Sequence, residues 1–348
     1  MIHEVNFENM STTDEIMKSP FTGGDAELKK EPRVLEYRKD PFEILYHYYQ
    51  CVDSGEQFTT TEIDTLNINQ VHNKYREKYG IPFTDEIRDI REKYGLSATK
   101  MSEVLGLGVN VYRNYEAGEM PSVATGRLIR LAQVPDEFSR LLEMSRNALE
   151  PAEYERVKKK LDSVRHGPGK MEELTQKLLF GHSLPNIYTG YRVPDLKRIG
   201  SMIRFFAARN MPFTTALNKL MFYADFCHFK AFGHSISGIS YKALPKGPVP
   251  ENYGSIYDYA VKHDFVKVEE KAFKDFVGDQ FFTDKPVADE DLPFSASELR
   301  ILHQVSEKFK DKNTRQIVDI SHEEPAWKDN VDDYGRISFE YGFDLKNF

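Results

Sequence analysis

One stretch of the chain leaves its backbone little choice: residues 96–118, LSATKMSEVLGLGVNVYRNYEAG. Glycines at 95, 106 and 118 cut it into pieces that can only be short helices joined by tight turns. Ser97 is a natural cap for the first helix, whose Met101, Val104 and Leu105 make an apolar stripe. Small Ser102 falls where two helices must approach. Gly106 supplies the turn, and the next helix runs from about Val109 to Glu116, halted by Gly118. Upstream, Thr84 is placed to cap a helix with Asp85 and Glu86 in its first turn and Ile87, Ile90 and Tyr94 on one face. Downstream, Pro121 leads into a further helix through Leu128, Ile129 and Leu131.

This succession resembles the Xre/Cro-type helix-turn-helix. The resemblance implies that the helix after Gly106 lies in the major groove of DNA, with Val109, Asn110, Arg113 and Asn114 facing the bases. Asn pairs bidentately with adenine and Arg with guanine, and Lys100 would reach a phosphate. Packing does not require polar residues at these positions, which favours DNA binding over a helical domain kept only for dimerisation. The family often has Gln where Ala98 stands, so that contact is missing. The chain's formal net charge is −8 and its pI about 5.8. Such a chain repels nucleic acid as a whole, so any DNA contact must be local and geometrically organised.

Before residue 84 the pattern is one of strands. A turn cluster at Ser19–Gly24 is followed by aromatic and β-branched runs at Val34–Arg38 and Phe42–Cys51, separated by Asp40 and Pro41 as in a hairpin. A helix is expected from Thr61 and Glu62 to Tyr79, stopped by Gly80. The order of parts resembles MqsA-type antitoxins, in which a zinc-binding domain precedes the helix-turn-helix. Ser19-Pro20-Phe21-Thr22 stands where that family has Cys-Pro-x-Cys, and Cys51-Val52-Asp53-Ser54 where it has Cys-x-x-Cys. One thiolate and three hydroxyls are a poor tetrahedral zinc set, so no metal and no cofactor are expected. Phe21, Phe42, Leu45, Tyr46, Tyr48, Tyr49 and Phe58 would hold the hairpins instead.

In the C-terminal half, LNKLMFYADFCHFKAFG at 217–233 is followed by Ile239–Ala243, the run Lys246-Gly247-Pro248-Val249-Pro250, Tyr253, and finally His322 with Trp327. These segments, in this order, resemble the Panacea or SocA-like antitoxin domain, which implies neutralisation of a protein toxin by direct binding. Leu217, Leu220 and Met221 are expected in the core. Tyr223, Tyr241, Tyr253 and Trp327 are candidates for a partner-facing aromatic surface, because Tyr and Trp dominate interface hot spots; packing in the core is the competing reading for each. Helices are expected at Asp195–Arg209, Thr214–Lys230, Ser295–Lys310 and Thr314–Ile320, and strands at Ile239–Leu244, Phe265–Val268 and Asp279–Thr283.

The expected fold class is α+β and mainly helical. Its parts are a disordered leader at 1–17, metal-free zinc-ribbon-like hairpins plus a helix at 18–80, a helix-turn-helix at 81–135, a charged helical linker at 136–192 and a Panacea-like domain at 193–335. No apolar run approaches the roughly 20 residues that span a bilayer. The polar, acidic N-terminus is not a secretory signal. Cys51 and Cys227 alone build no disulfide framework, which fits a reducing cytoplasm. His322 beside Glu323 and Glu324, or His228 and His234 with Asp225, lack any supporting catalytic motif, so no enzyme is expected. The chain thus reads as the antitoxin of a type II toxin–antitoxin system, binding a cognate toxin and, as a dimer, its own operator DNA. The alternative is a transcription factor or protease adaptor whose C-terminal domain senses another protein.

Overall fold

A computed structural model describes residues 17–167, 169–181, 184–273 and 277–348. Apart from Met17, the leader expected at 1–17 lies outside the described residues.

Strands β1 (Met17–Lys18), β2 (Asp25–Tyr37), β3 (Asp40–Cys51) and β4 (Gln57–Phe58) form one antiparallel sheet in sequence order. The hairpin turns at Arg38 and Lys39, both with positive φ (49° and 73°), rather than at Asp40 and Pro41. A two-residue turn needs left-handed backbone to match the twist of its strands, and no glycine marks the place. Helix α1 (Thr61–Tyr79) starts at its Thr60 cap and ends at Gly80, φ 65°. It lies along β3 where that strand has no neighbour on one side. The Asn67 amide accepts from His47 N (2.9 Å) and donates to His47 O (2.8 Å), and Gln70 does the same for Leu45 (3.1 and 2.9 Å). Two side chains thereby satisfy a buried strand edge that would otherwise be costly.

Helices α2 (Thr84–Lys93), α3 (Ala98–Val104), α4 (Val111–Glu116), α5 (Val123–Ala132), α6 (Pro135–Met144) and α7 (Pro151–His166) share one apolar core. Ser97 caps α3 as its position predicts. Phe83, not Thr84, is the N-cap of α2, and Glu86 reaches back to accept the Phe83 N–H (2.9 Å). Ser122, one residue after Pro121, caps α5. The linker reading of 136–192 needs correction. Phe138, Leu142, Leu149, Tyr154, Val157 and Leu161 are buried in the same core as Ile87, Met101 and Tyr112. Each fully buried aliphatic or aromatic side chain contributes roughly 1.5–3 kcal/mol, so α6 and α7 belong to the helical domain. Their dense surface charge conceals a narrow inward stripe. Only α8 (Gly169–Phe180) has the linker character expected, with no buried residue.

The C-terminal domain is built around α10 (Thr214–Phe232), which follows α9 (Leu196–Asn210). Around it lie β5 (Tyr241–Leu244), β6 (Gly247–Pro250), α11 (Tyr253–Lys262), the hairpin β7 (Lys267–Ala272) and β8 (Val277–Phe282), then α12 (Ala296–Phe309), α13 (Thr314–Ser321), α14 (Pro325–Lys328) and β9 (Arg336–Ile337). The stretch Gly247–Pro250 proves to be a strand, and the turn is Pro245-Lys246 before it. The sheet order β6-β5-β9 puts β6 at an edge, the place where Pro248 and Pro250 are tolerated. The domain also runs past 335: Phe339, Phe343, Leu345 and Phe348 are buried in its core. Leu66 and Phe83 enter that core too, so the three parts make one continuous body.

Candidate functional site

The short helix α4 has two faces of opposite character. Tyr112 and Tyr115 point inward, and the Tyr112 hydroxyl donates to Ile87 O (2.6 Å). Ser102, fully buried between α3 and α4, accepts the Tyr112 N–H (3.1 Å), which ties the two helices at their closest approach. Gly106 takes φ 66° at the turn between them. Glu116 is held by Arg91 at 2.5 Å, fixing the far end of α4. The helix starts at Val111 rather than Val109; Val109 and Asn110 in the turn before it, and Arg113 and Asn114 on its outer face, are all exposed, and none of their side chains is committed to a packing role. Lys100 is placed differently. Its ammonium lies 2.7 Å from Glu103 and 3.7 Å from Glu153, so it must exchange these partners to reach a phosphate.

The aromatic surface read from the sequence is not assembled. Tyr223 and Tyr241 are fully buried, and their hydroxyls are internal struts. Tyr241 donates to Asp225 (2.7 Å) and Tyr223 to Glu324 (3.1 Å), itself fully buried. Asp225 also accepts from the backbone N–H groups of Ile236 (2.8 Å) and Ser237 (2.7 Å) and from the Ser237 hydroxyl. Burial raises its pKa against the pull of these donors. Tyr253 and Trp327 remain half-buried; the indole N–H donates to Leu244 O (2.8 Å), and His322 stacks on the ring at 3.8 Å. A buried phenol or indole usually needs an acceptor, and Tyr223, Tyr241 and Trp327 find theirs on elements distant in sequence.

Sequence reasoning also passed over Lys219. It is fully buried, donates to Pro248 O (2.8 Å) and so pins β6 to α10. Burial, assisted by Lys246, lowers its pKa to about 7. The spacing of this lysine from the Gly-Pro-Val run holds no local signal, because the contact joins separate segments. The helical and C-terminal domains meet through Arg192, which lies 3.3 Å from Asp85 at the start of α2 and 2.6 Å from Glu298 on α12. Burial opposes ionisation of Glu298, yet Arg192 and Arg198 hold its carboxyl well below the usual range.

In the N-terminal sheet, the positions of the MqsA-type metal pattern converge on the Cys51 sulfur. Thr22 Oγ1 lies 3.3 Å from it and the Ser54 N–H 3.4 Å. The hydroxyls of Ser19, Ser54 and Thr22 draw the thiol down to about 6. This is a hydrogen-bonded cluster around one thiol, and its donor set does not fit zinc.

The comparisons agree with the geometry at the level of domains. The class is set first by residues 87–148, which match the helix-turn-helix family model. Residues 217–328 match the model described as antitoxin SocA-like, Panacea domain. The chain therefore carries a helix-turn-helix domain followed by a SocA-like Panacea domain, in a mixed α+β fold. Neither family is an enzyme class. No curated protein and no solved structure matches the chain. Among the described residues no helix is long and apolar enough to cross a membrane.

Proposed function

We propose that this chain is a self-regulating cytoplasmic antitoxin of a type II toxin–antitoxin system. Its Panacea domain binds and occludes a cognate protein toxin, and a dimer of its helix-turn-helix domains represses its own operon. The observation that carries this reading is the union, in one body, of an antitoxin-like domain with a recognition helix that offers its cap Asn110 and its outer-face Arg113 and Asn114 to solvent. The uncommitted polar side chains on α4 are the chemistry that reads base edges. On this reading the chain makes and breaks no covalent bond.

Co-expression with the product of the adjacent gene is the test. The expected result is rescue of growth from a toxic neighbour and a complex that survives gel filtration. A neighbour that is not toxic, or one that neither binds nor is neutralised, ends the reading.

A further inference from the structure

At the start of α10 the C-terminal domain opens a groove of about 590 Å³. Its floor and lip are apolar. Met211 is 51% exposed, Val277 62% and Phe273 45%, beside Phe213 and the buried Phe309 and Ile317. Side chains of this size are ordinarily turned inward, and here three of them face solvent within one concavity.

The charges around the groove are of one dominant sign. Lys246, Lys310, Lys312 and Arg315 line it and are all exposed, against the single lining carboxylate of Asp279. Of these cations only Lys310 has an ion pair among the described residues, with Glu307 at 3.6 Å. Lys246 has, instead of an acid, the buried Lys219 near it, an arrangement that an anion in the groove would relieve. The first turn of α10, whose N-cap Phe213 has no side-chain oxygen to offer, adds the positive end of a long helix. In a chain of net charge −8 such a patch runs against the background.

We propose that this groove is the partner-binding surface of the C-terminal domain, and that its occupant is an acidic protein segment bearing aliphatic or aromatic side chains. The apolar lip takes the hydrophobic residues and the cationic rim pairs with Asp or Glu. For the identity of the partner as a toxin the proposal rests on the antitoxin reading; for its chemistry it rests on the groove alone.

The experiment selects short displayed random peptides on the full-length chain. It then measures their binding to wild type, to Lys246→Glu/Lys312→Glu/Arg315→Glu, and to Met211→Ser/Val277→Ser. All five positions are exposed, so both variants should keep the wild-type melting temperature. Selected peptides are expected to combine Asp or Glu with Leu, Ile or Phe. The charge reversal should weaken them about tenfold or more, since it replaces three attractive rim contacts with like-charge repulsion. The apolar variant should weaken them as well. Failure to select any peptide, selection of basic peptides, a preference for oligonucleotide over acidic peptide, or indifference to the charge reversal would each overturn the proposal. The two readings separate cleanly. Peptides that need the groove while the neighbouring gene product ignores the wild type keep the groove and end the antitoxin reading. A neighbour that binds wild type and charge reversal alike does the opposite.

Discussion

Helices α4 and α10 carry the two halves of this molecule in opposite ways. α4 is short and one-sided: Tyr112 and Tyr115 lock it down, and Asn110 before it with Arg113 and Asn114 upon it face outward. α10 is long and buried on every side from Ala216 to Phe229, including Asn218, Lys219, Asp225 and His228. A helix that works by contact shows an amphipathic face, whereas a helix that works as a spine is enclosed all round and turns its polar groups to internal use. The same residue type changes meaning between them. The exposed Arg113 and Asn114 of α4 are available to a ligand, whereas Asn218, Lys219 and Asp225, buried on α10, are already taken.

The largest test of this contrast is Asp225→Ala. It strands the Tyr241 hydroxyl, the Ser237 hydroxyl and two backbone N–H groups in the core, at a cost on the order of 3–5 kcal/mol. Chemical denaturation should show a large drop in the unfolding midpoint, and an unchanged midpoint would remove α10 from its role as spine. Next comes Asn110→Ala with Arg113→Ala. The pair should lose about 2–4 kcal/mol of specific operator binding in gel shifts while the melting temperature stays put. Equal loss on every DNA sequence would mean that these side chains hold phosphate rather than read bases.

Lys219→Met sharpens the contrast through pH. The folded lysine gives up its proton near pH 7, while the unfolded chain keeps its own to about 10.5. Between these values the unfolded state binds more protons, so this group makes the wild type more stable as pH rises through the window. The Met variant should show a smaller gain in melting temperature between neutral and mildly alkaline pH; an identical gain would show that the lysine is solvated. Lys100→Ala should have the least effect on DNA binding. A phosphate contact that must first leave Glu103 is worth about 1 kcal/mol or less, lost uniformly across sequences with a shallower salt dependence. Finally, a chelator should leave the melting temperature unmoved, because Ser19, Thr22 and Ser54 offer hydroxyls where a zinc knuckle needs thiolates; a drop on chelation would show a metal after all.

The parts of the fold that were plain beforehand are those held by near neighbours in the chain. Ser97 as a cap, Gly106 and Gly80 in left-handed backbone, and the stripe of Met101, Val104 and Leu105 each follow from residues within one or two turns. What was misread involved distant partners. Residues 136–166 look like a charged linker until Phe138 is seen stacked on Tyr94 at 3.6 Å. Tyr223 and Tyr241 look like interface aromatics until Glu324 and Asp225 are found at their hydroxyls. The groove proposed as a docking surface draws on α9, α10, the Lys246 turn, β8, α12 and α13 and has no motif of its own.

By itself the sequence determined the Ser97 cap, the stops at Gly80 and Gly118, which face of α4 is apolar, and which domain families the chain carries, because capping, turn chemistry and periodicity act over a few residues. Only the tertiary structure decided which polar groups are free. That depends on whether a carboxylate, a carbonyl or an amide from a remote segment has already met each donor, because a buried donor left without one is costly.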